Sequence, residues 1–145
     1  MEITEDPIGL AEKTIESIKN NALLKYYYYG NQAYINVLSL LFGDDRLNII
    51  QHCINKRCNF NEIWLIANLK FSKSQMDDIA DDLLYNKIPL NIVMKYAKPE
   101  YSDSTMRMIS IALVTGAPFE EIEPLLNPVD YNGLRNLFHK YKSSH

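Results

Sequence analysis

The sequence predicts an all-α fold, a superhelix-like stack of helix pairs about 29 residues long with two N-terminal helices before it. Three observations carry this. A helix-start pattern recurs with that period in Phe42-Gly-Asp-Asp-Arg-Leu47, Phe71-Ser-Lys-Ser-Gln-Met76 and Tyr101-Ser-Asp-Ser-Thr-Met106. Apolar residues follow each start at i, i+3, i+4 spacing, the signature of one buried helix face. Pro89 and Pro118, one period apart, each sit where a second helix would open. A repeat of this length is one supersecondary unit that buries its apolar stripe only against its neighbours.

Each element has a local cause. Asp6-Pro7 provides an N-cap and a first-turn proline, and Ile8, Ala11, Ile15 and Ile18 then recur at helical spacing. This helix either runs toward Tyr29 and ends at Gly30 or breaks at Asn20-Asn21. A second helix places Tyr34, Val37, Leu38 and Leu41 on one face, with Gly43 just past its end. The long helix of each pair then carries Leu47, Ile50, Cys53 and Ile54; Met76, Ile79, Ala80 and Leu83; and Met106, Ile109 and Ala112 or Leu113. Ser72 and Gln75 have capping-box spacing. Second helices are expected over 60–69, 89–97 and 118–126, and Gly116 closes the helix before the last of them. Val129-Asp-Tyr-Asn-Gly-Leu134 starts a final helix with Leu137, Phe138 and Tyr141, whose polar outer face suits a cap. The expected organisation is one helical domain over 1–145. N-terminal helices occupy 1–43, repeats 44–70, 71–100 and 101–128, and a capping helix 129–145, about nine helices in all.

Composition narrows the function classes. A chain of 145 residues with 47% hydrophobic and 23% charged residues is globular in character. Its net charge of −3 gives no bulk electrostatic grip on nucleic acid or anionic membrane. No apolar run approaches the roughly 18 residues of a membrane span, and the acidic start, Met1-Glu2-Ile3-Thr4-Glu5-Asp6, is unlike a signal peptide. Two cysteines do not make a disulfide scaffold, so a cytoplasmic protein with reduced thiols is expected.

Residues 71–128 resemble short tandem helix-pair repeats found in proteins of Gram-positive bacteria, their plasmids and their phages. Gln75-Met76 and Tyr96-Ala97-Lys98-Pro99 match the start and end of such a unit. Thr105-Met106 and Leu125-Leu126-Asn127-Pro128 match it more loosely. The resemblance implies the repeat type and a mobile-element setting. It implies no catalytic residues.

No constellation of residues predicts catalysis. Asp77-Asp78-Ile-Ala-Asp81 spells the magnesium pattern of terpene synthases, but no second metal motif accompanies it and the short repeats enclose no large cavity. His52, Cys53 and Cys58 lack zinc spacing, so no metal or cofactor is expected. Cys53 and Trp64 read as core. The segment 75–96 resembles a helix-turn-helix in outline. Its would-be recognition helix offers one lysine and no arginine, and four aspartates precede it, which argues against direct nucleic-acid binding.

Two surfaces remain. Asp77, Asp78, Asp81 and Asp82 fall outside the apolar stripe of their helix, as like charges at i, i+4. With Glu120, Glu121 and Glu123 they would form an acidic stripe, either a solvated face that keeps the chain soluble or a docking surface for a protein partner with a basic surface. Tyr26, Tyr27, Tyr28 and Tyr29 cannot all be buried by one neighbour, since successive helical residues diverge by about 100°, and tyrosine favours interfaces. The expectation is a non-enzymatic interaction module. Its most concrete form is a phage or mobile-element inhibitor of a bacterial defence nuclease, anti-CRISPR-like, acting by surface occlusion. A DNA-binding helix-turn-helix regulator and a small helical enzyme are the alternatives.

Overall fold

Helix boundaries in this chain are set by capping, and the caps are where local sequence speaks most directly. The computed structural model describes residues 27–29 and 35–143. Between residues 35 and 143 it forms eight α-helices and one 3-10 turn; no strand occurs among the described residues beyond a single antiparallel bridge, Leu126 to Val129. No described helix is long and apolar enough to cross a membrane. The helix expected from Asp6, and the placement of Gly30, Tyr34 and the Val37 side chain, lie outside the described residues. The chain divides into two compact units, Met1–Leu69 and Lys70–His145.

The first unit contains α1 (Ile35–Phe42), α2 (Asp44–Asn55) and α3 (Phe60–Ile66), with α2 packed against both neighbours. Gly43 alone joins α1 to α2. Its N–H donates to the Ser39 carbonyl at 2.8 Å and its own carbonyl accepts from Leu47 N–H at 3.0 Å. Its φ of 78° is left-handed, which glycine adopts without a Cβ penalty. Arg46 then ties off backbone carbonyls. Nε donates to Phe42 O at 2.6 Å and Nη1 to Leu69 O at 3.1 Å. A cation at the C-terminal end of α1 also suits the helix dipole. Asn59 and Glu62 form a capping box at the start of α3. Leu38, Ile50, Cys53, Ile63 and Ile66 are fully buried. Trp64, expected in the core, is 38% exposed and leans on Phe60 at 6.1 Å. Its neighbours Ile63 and Ile66 occupy the inward face of this short helix instead.

The second unit contains α4 (Lys73–Leu84), α5 (Leu90–Val93), α6 (Asp103–Val114), α7 (Phe119–Ile122), a 3-10 turn (Glu123–Leu125) and α8 (Tyr131–Ser143). Here α6 packs against both α4 and α8. Ser72 and Gln75 make the expected capping box, and Ser102 caps α6 through Thr105 N–H. Met76, Ile79, Met106, Ile109 and Ala112 have no exposed surface. The helices expected over 60–69, 89–97 and 118–126 are shorter than that, at seven, four and four residues. After Val93 the bonding tightens from i−4 to i−3, with Lys95 N–H on Ile92 O and Tyr96 N–H on Val93 O. That turn brings the Tyr96 ring inside, where it stacks on Phe119 at 6.3 Å.

Corresponding positions behave alike. Helices α2, α4 and α6 are equally long, at twelve residues, and their starts at Asp44, Lys73 and Asp103 are evenly spaced along the chain. Each is followed by a left-handed residue, Arg57, Lys87 or Gly116. Behind α2 and α6 this residue belongs to a Schellman-type ending, with Cys58 N–H on Cys53 O and Ala117 N–H on Ala112 O, both 3.0 Å. The fourth position after Phe42, Phe71 and Tyr101 reaches forward in every case. Arg46 bonds Leu69 O, Gln75 bonds Pro99 O and Tyr101 O, and Thr105 bonds the Tyr131 hydroxyl.

Candidate functional site

Helices α4 and α6 border a cleft of about 320 Å³ lined by Asp78, Asp81, Asp82, Asn86, Arg107, Ser110, Ile111, Val114 and Thr115. This lies at the lower end of the ligand-pocket range, about 300–1,000 Å³. Two chemistries meet in it. From α4 come carboxylates one turn apart. From α6 come Ile111 and Val114, 43% and 57% exposed, with Arg107 on the same helix.

The four aspartates expected on one solvated face have four different surroundings. Asp77 pairs with Lys73 across one helical turn at 3.0 Å and does not line the cleft. Asp81 is exposed and does line it. Asp78 is largely covered, its side chain 14% exposed. Its Oδ1 lies 3.6 Å from Arg107 Nη2, beyond hydrogen-bond length, while Oδ2 is buried with no hydrogen-bond partner. Burial pushes the Asp78 carboxyl above the ordinary carboxylate range. Arg107 opposes the shift, and the negative charges of Asp103 and Asp82 add to it.

Asp82 corrects the expectation that all four aspartates avoid the core. It is 1% exposed. Its Oδ2 accepts from the Tyr96 hydroxyl and the Ser110 hydroxyl, each at 2.6 Å, and Oδ1 accepts from Asn86 Nδ2 at 2.8 Å. A buried carboxyl is tolerated only with its lone pairs satisfied, and these three donors do that. Burial and then the adjoining Asp82 carboxyl hold the Tyr96 phenol far above its usual range. Asp82 therefore ties α4 to α6 and to the end of the α5 turn, so it cannot be changed as a surface residue.

The remaining expected positions lie outside this cleft. Glu120 and Glu123 are exposed. Glu121 accepts hydrogen bonds from the Tyr141 hydroxyl and from Lys140 Nζ, the latter at 3.3 Å. The Tyr141 hydrogen bond holds its carboxyl below the usual range. Tyr26 lies outside the described residues. Tyr27 is buried and hydrogen-bonds the Gln51 side chain, and Tyr28 donates to Cys58 O at 2.9 Å. Tyr29 is 71% exposed. Its ring meets Tyr28 edge-on at 5.0 Å, and Tyr28 meets Phe60 at 5.6 Å. No group of three or more His, Cys, Asp or Glu side chains among the described residues is placed to hold a metal ion.

Sequence reasoning missed Arg107 and Ser110. The spacing held the signal, since Arg107 follows Asp78 by 29 residues and Ser110 follows Asp82 by 28. At these intervals the two pairs face each other across α4 and α6. Comparison with known proteins returns no matching family, curated relative or solved structure. What fold and cleft together define is a small helical protein with a two-sided groove, its α4 wall acidic and its opposite wall a mix of exposed Ile111 and Val114 with Arg107, Ser110 and Thr115.

Proposed function

We propose that this protein is a non-enzymatic interaction module, built from successive helix pairs, that docks a basic segment of a protein partner in the α4–α6 cleft. The observation that carries the reading is the division of the cleft walls. Asp78 and Asp81 line one side and the exposed Ile111 and Val114 the other. Lysine and arginine have the same division, an apolar stem with a charged head, and lie well along such a groove. The helix-pair reading is supported by the equal lengths of α2, α4 and α6, by their even spacing and by the left-handed residue behind each.

A partner that handles nucleic acid has the required surface, a channel rich in Lys and Arg. Occlusion of that channel in a bacterial defence nuclease is the concrete form of the proposal. It accords with the mobile-element character of the repeats that residues 71–128 resemble. A protein partner is favoured over DNA by the shortness of α5. Its four residues include the buried Val93, and Tyr96 just beyond it is also buried, which leaves little to enter a groove.

The test is a fluorescence anisotropy titration with a labelled peptide of alternating Arg and Leu, its citrulline counterpart, and duplex DNA. The Arg peptide should bind, more weakly as salt rises, and the other two should not. Asp81→Asn should cost about fivefold in affinity, the size of one exposed ion pair. Asp77→Asn, outside the cleft, should change little. Equal binding of the citrulline peptide, or binding of DNA alone, would overturn the proposal.

A further inference from the structure

We infer that Arg107 is the cleft's own occupant, an internal cation that covers the acidic wall until a basic side chain of the partner displaces it. The inference rests on the docking reading above and adds regulation to it. An arginine in a site for cations otherwise makes no sense, because it repels the ligand. The geometry resolves this. Arg107 Nη2 stands 3.6 Å from Asp78 Oδ1 and 3.9 Å from Asp103 Oδ2, both longer than a charged hydrogen bond, which is about 2.7–2.9 Å. Its side chain is 59% exposed, so it can swing into water at little cost. The pairing also leaves Asp78 half used, since Oδ2 is buried without a hydrogen-bond partner. A guanidinium arriving from outside, with its stem on Ile111 and Val114, is not bound by the reach of α6. It can approach the Asp78 Oδ1 edge along the groove more closely than the 3.6 Å at which Arg107 stands.

The sign of the effect separates this role from ordinary ligand contact. Removing a residue that touches a ligand weakens binding, whereas removing a competitor strengthens it. With the same Arg–Leu peptide, Arg107→Gln should tighten binding about three- to tenfold, the worth of a weak surface ion pair no longer to be broken. Arg135→Gln makes the same change of net charge at an exposed position on α8 and should shift affinity by less than about twofold. The melting curve of Arg135→Gln should overlay that of the natural protein, and Arg107→Gln, which leaves the part-buried Asp78 carboxyl without its counter-charge, should still unfold in one transition at a slightly lower temperature. Binding that appears only in Arg107→Gln also supports the inference. If the natural protein binds and Arg107→Gln binds equally or more weakly, the competitor role is wrong and the docking reading stands. Equal tightening in Arg135→Gln likewise refutes it, reducing the effect to net charge. If neither the natural protein nor Arg107→Gln binds the peptide, the docking reading falls and this inference with it.

Discussion

Replacing Asp82 with alanine probes the polar centre of the second unit. Three donors converge on its carboxyl, and they lose different amounts. The Tyr96 hydroxyl is buried with no exposed surface, so without Asp82 it is orphaned, at about 1–3 kcal/mol. Ser110 has one hydroxyl proton, and without Asp82 it turns that proton to Met106 O, 2.8 Å away. Asn86 is exposed, and water takes the place of its lost partner. The small void and the loss of short bonds to an acidic group add to the cost, and relief of carboxyl burial offsets part of it. The expected net loss is about 2–4 kcal/mol, seen in urea unfolding as a lower midpoint at unchanged slope. Tyr96→Phe should cost about 1–2 kcal/mol, because Asp82 keeps two donors. The double variant Asp82→Ala with Tyr96→Phe should lose about 1–2 kcal/mol less than the sum, since no orphaned hydroxyl remains. A loss below about 0.5 kcal/mol for Asp82→Ala, or strict additivity, would refute the account of this centre.

Three further outcomes follow from the same packing. Met76→Ala and Met106→Ala should each destabilise by about 2–5 kcal/mol, as both side chains are wholly buried; calorimetry on the two variants checks this. Lys87→Gly should stabilise by about 1 kcal/mol, because its φ of 57° imposes a left-handed penalty that glycine escapes; a shift of the urea midpoint measures it. Asp78 has its carboxyl raised by burial, so the folded chain holds that proton more tightly than the unfolded one. Its contribution to stability therefore grows as pH falls through the folded value and levels off below the unfolded one. Asp78→Asn should be the more stable protein at neutral pH, with the advantage shrinking on acidification; melting temperatures across pH for both proteins test the sign.

Much of the fold was legible because helix starts are local events. The side chains of Ser72, Gln75 and Ser102 cap helices within their own turn, and no distant residue is needed to read them. Helix ends were harder. Pro89 and Pro118 mark where α5 and α7 open, but nothing nearby shows that α5 stops at Val93. That stop depends on Tyr96 turning inward to Asp82 and Phe119, a contact from another helix. The site was half legible for a similar reason. At about 100° per residue, Gln75 and Asp82 share one flank of α4, beside the stripe of Met76, Ile79 and Leu83. A helix with one neighbour would leave that flank in water. Here α6 covers it, and Gln75 and Asp82 are both buried. Only the period linking Asp78 to Arg107 could have revealed the second neighbour.

The Gln75 clamp bears on how this chain can change in length. Its amide is fully engaged, with Oε1 accepting from Ser72 N–H at 2.8 Å and Nε2 donating to Pro99 O at 3.2 Å and Tyr101 O at 2.7 Å. The two accepting carbonyls flank Glu100, which is exposed. One inserted residue there would part them by up to about 3.3 Å more, further than a single amide can span. Almost any side chain should therefore be accepted at Glu100, whereas adding or deleting a residue should not. Gln75 thus meters the connection between α5 and α6, and drift in this segment is confined to substitution.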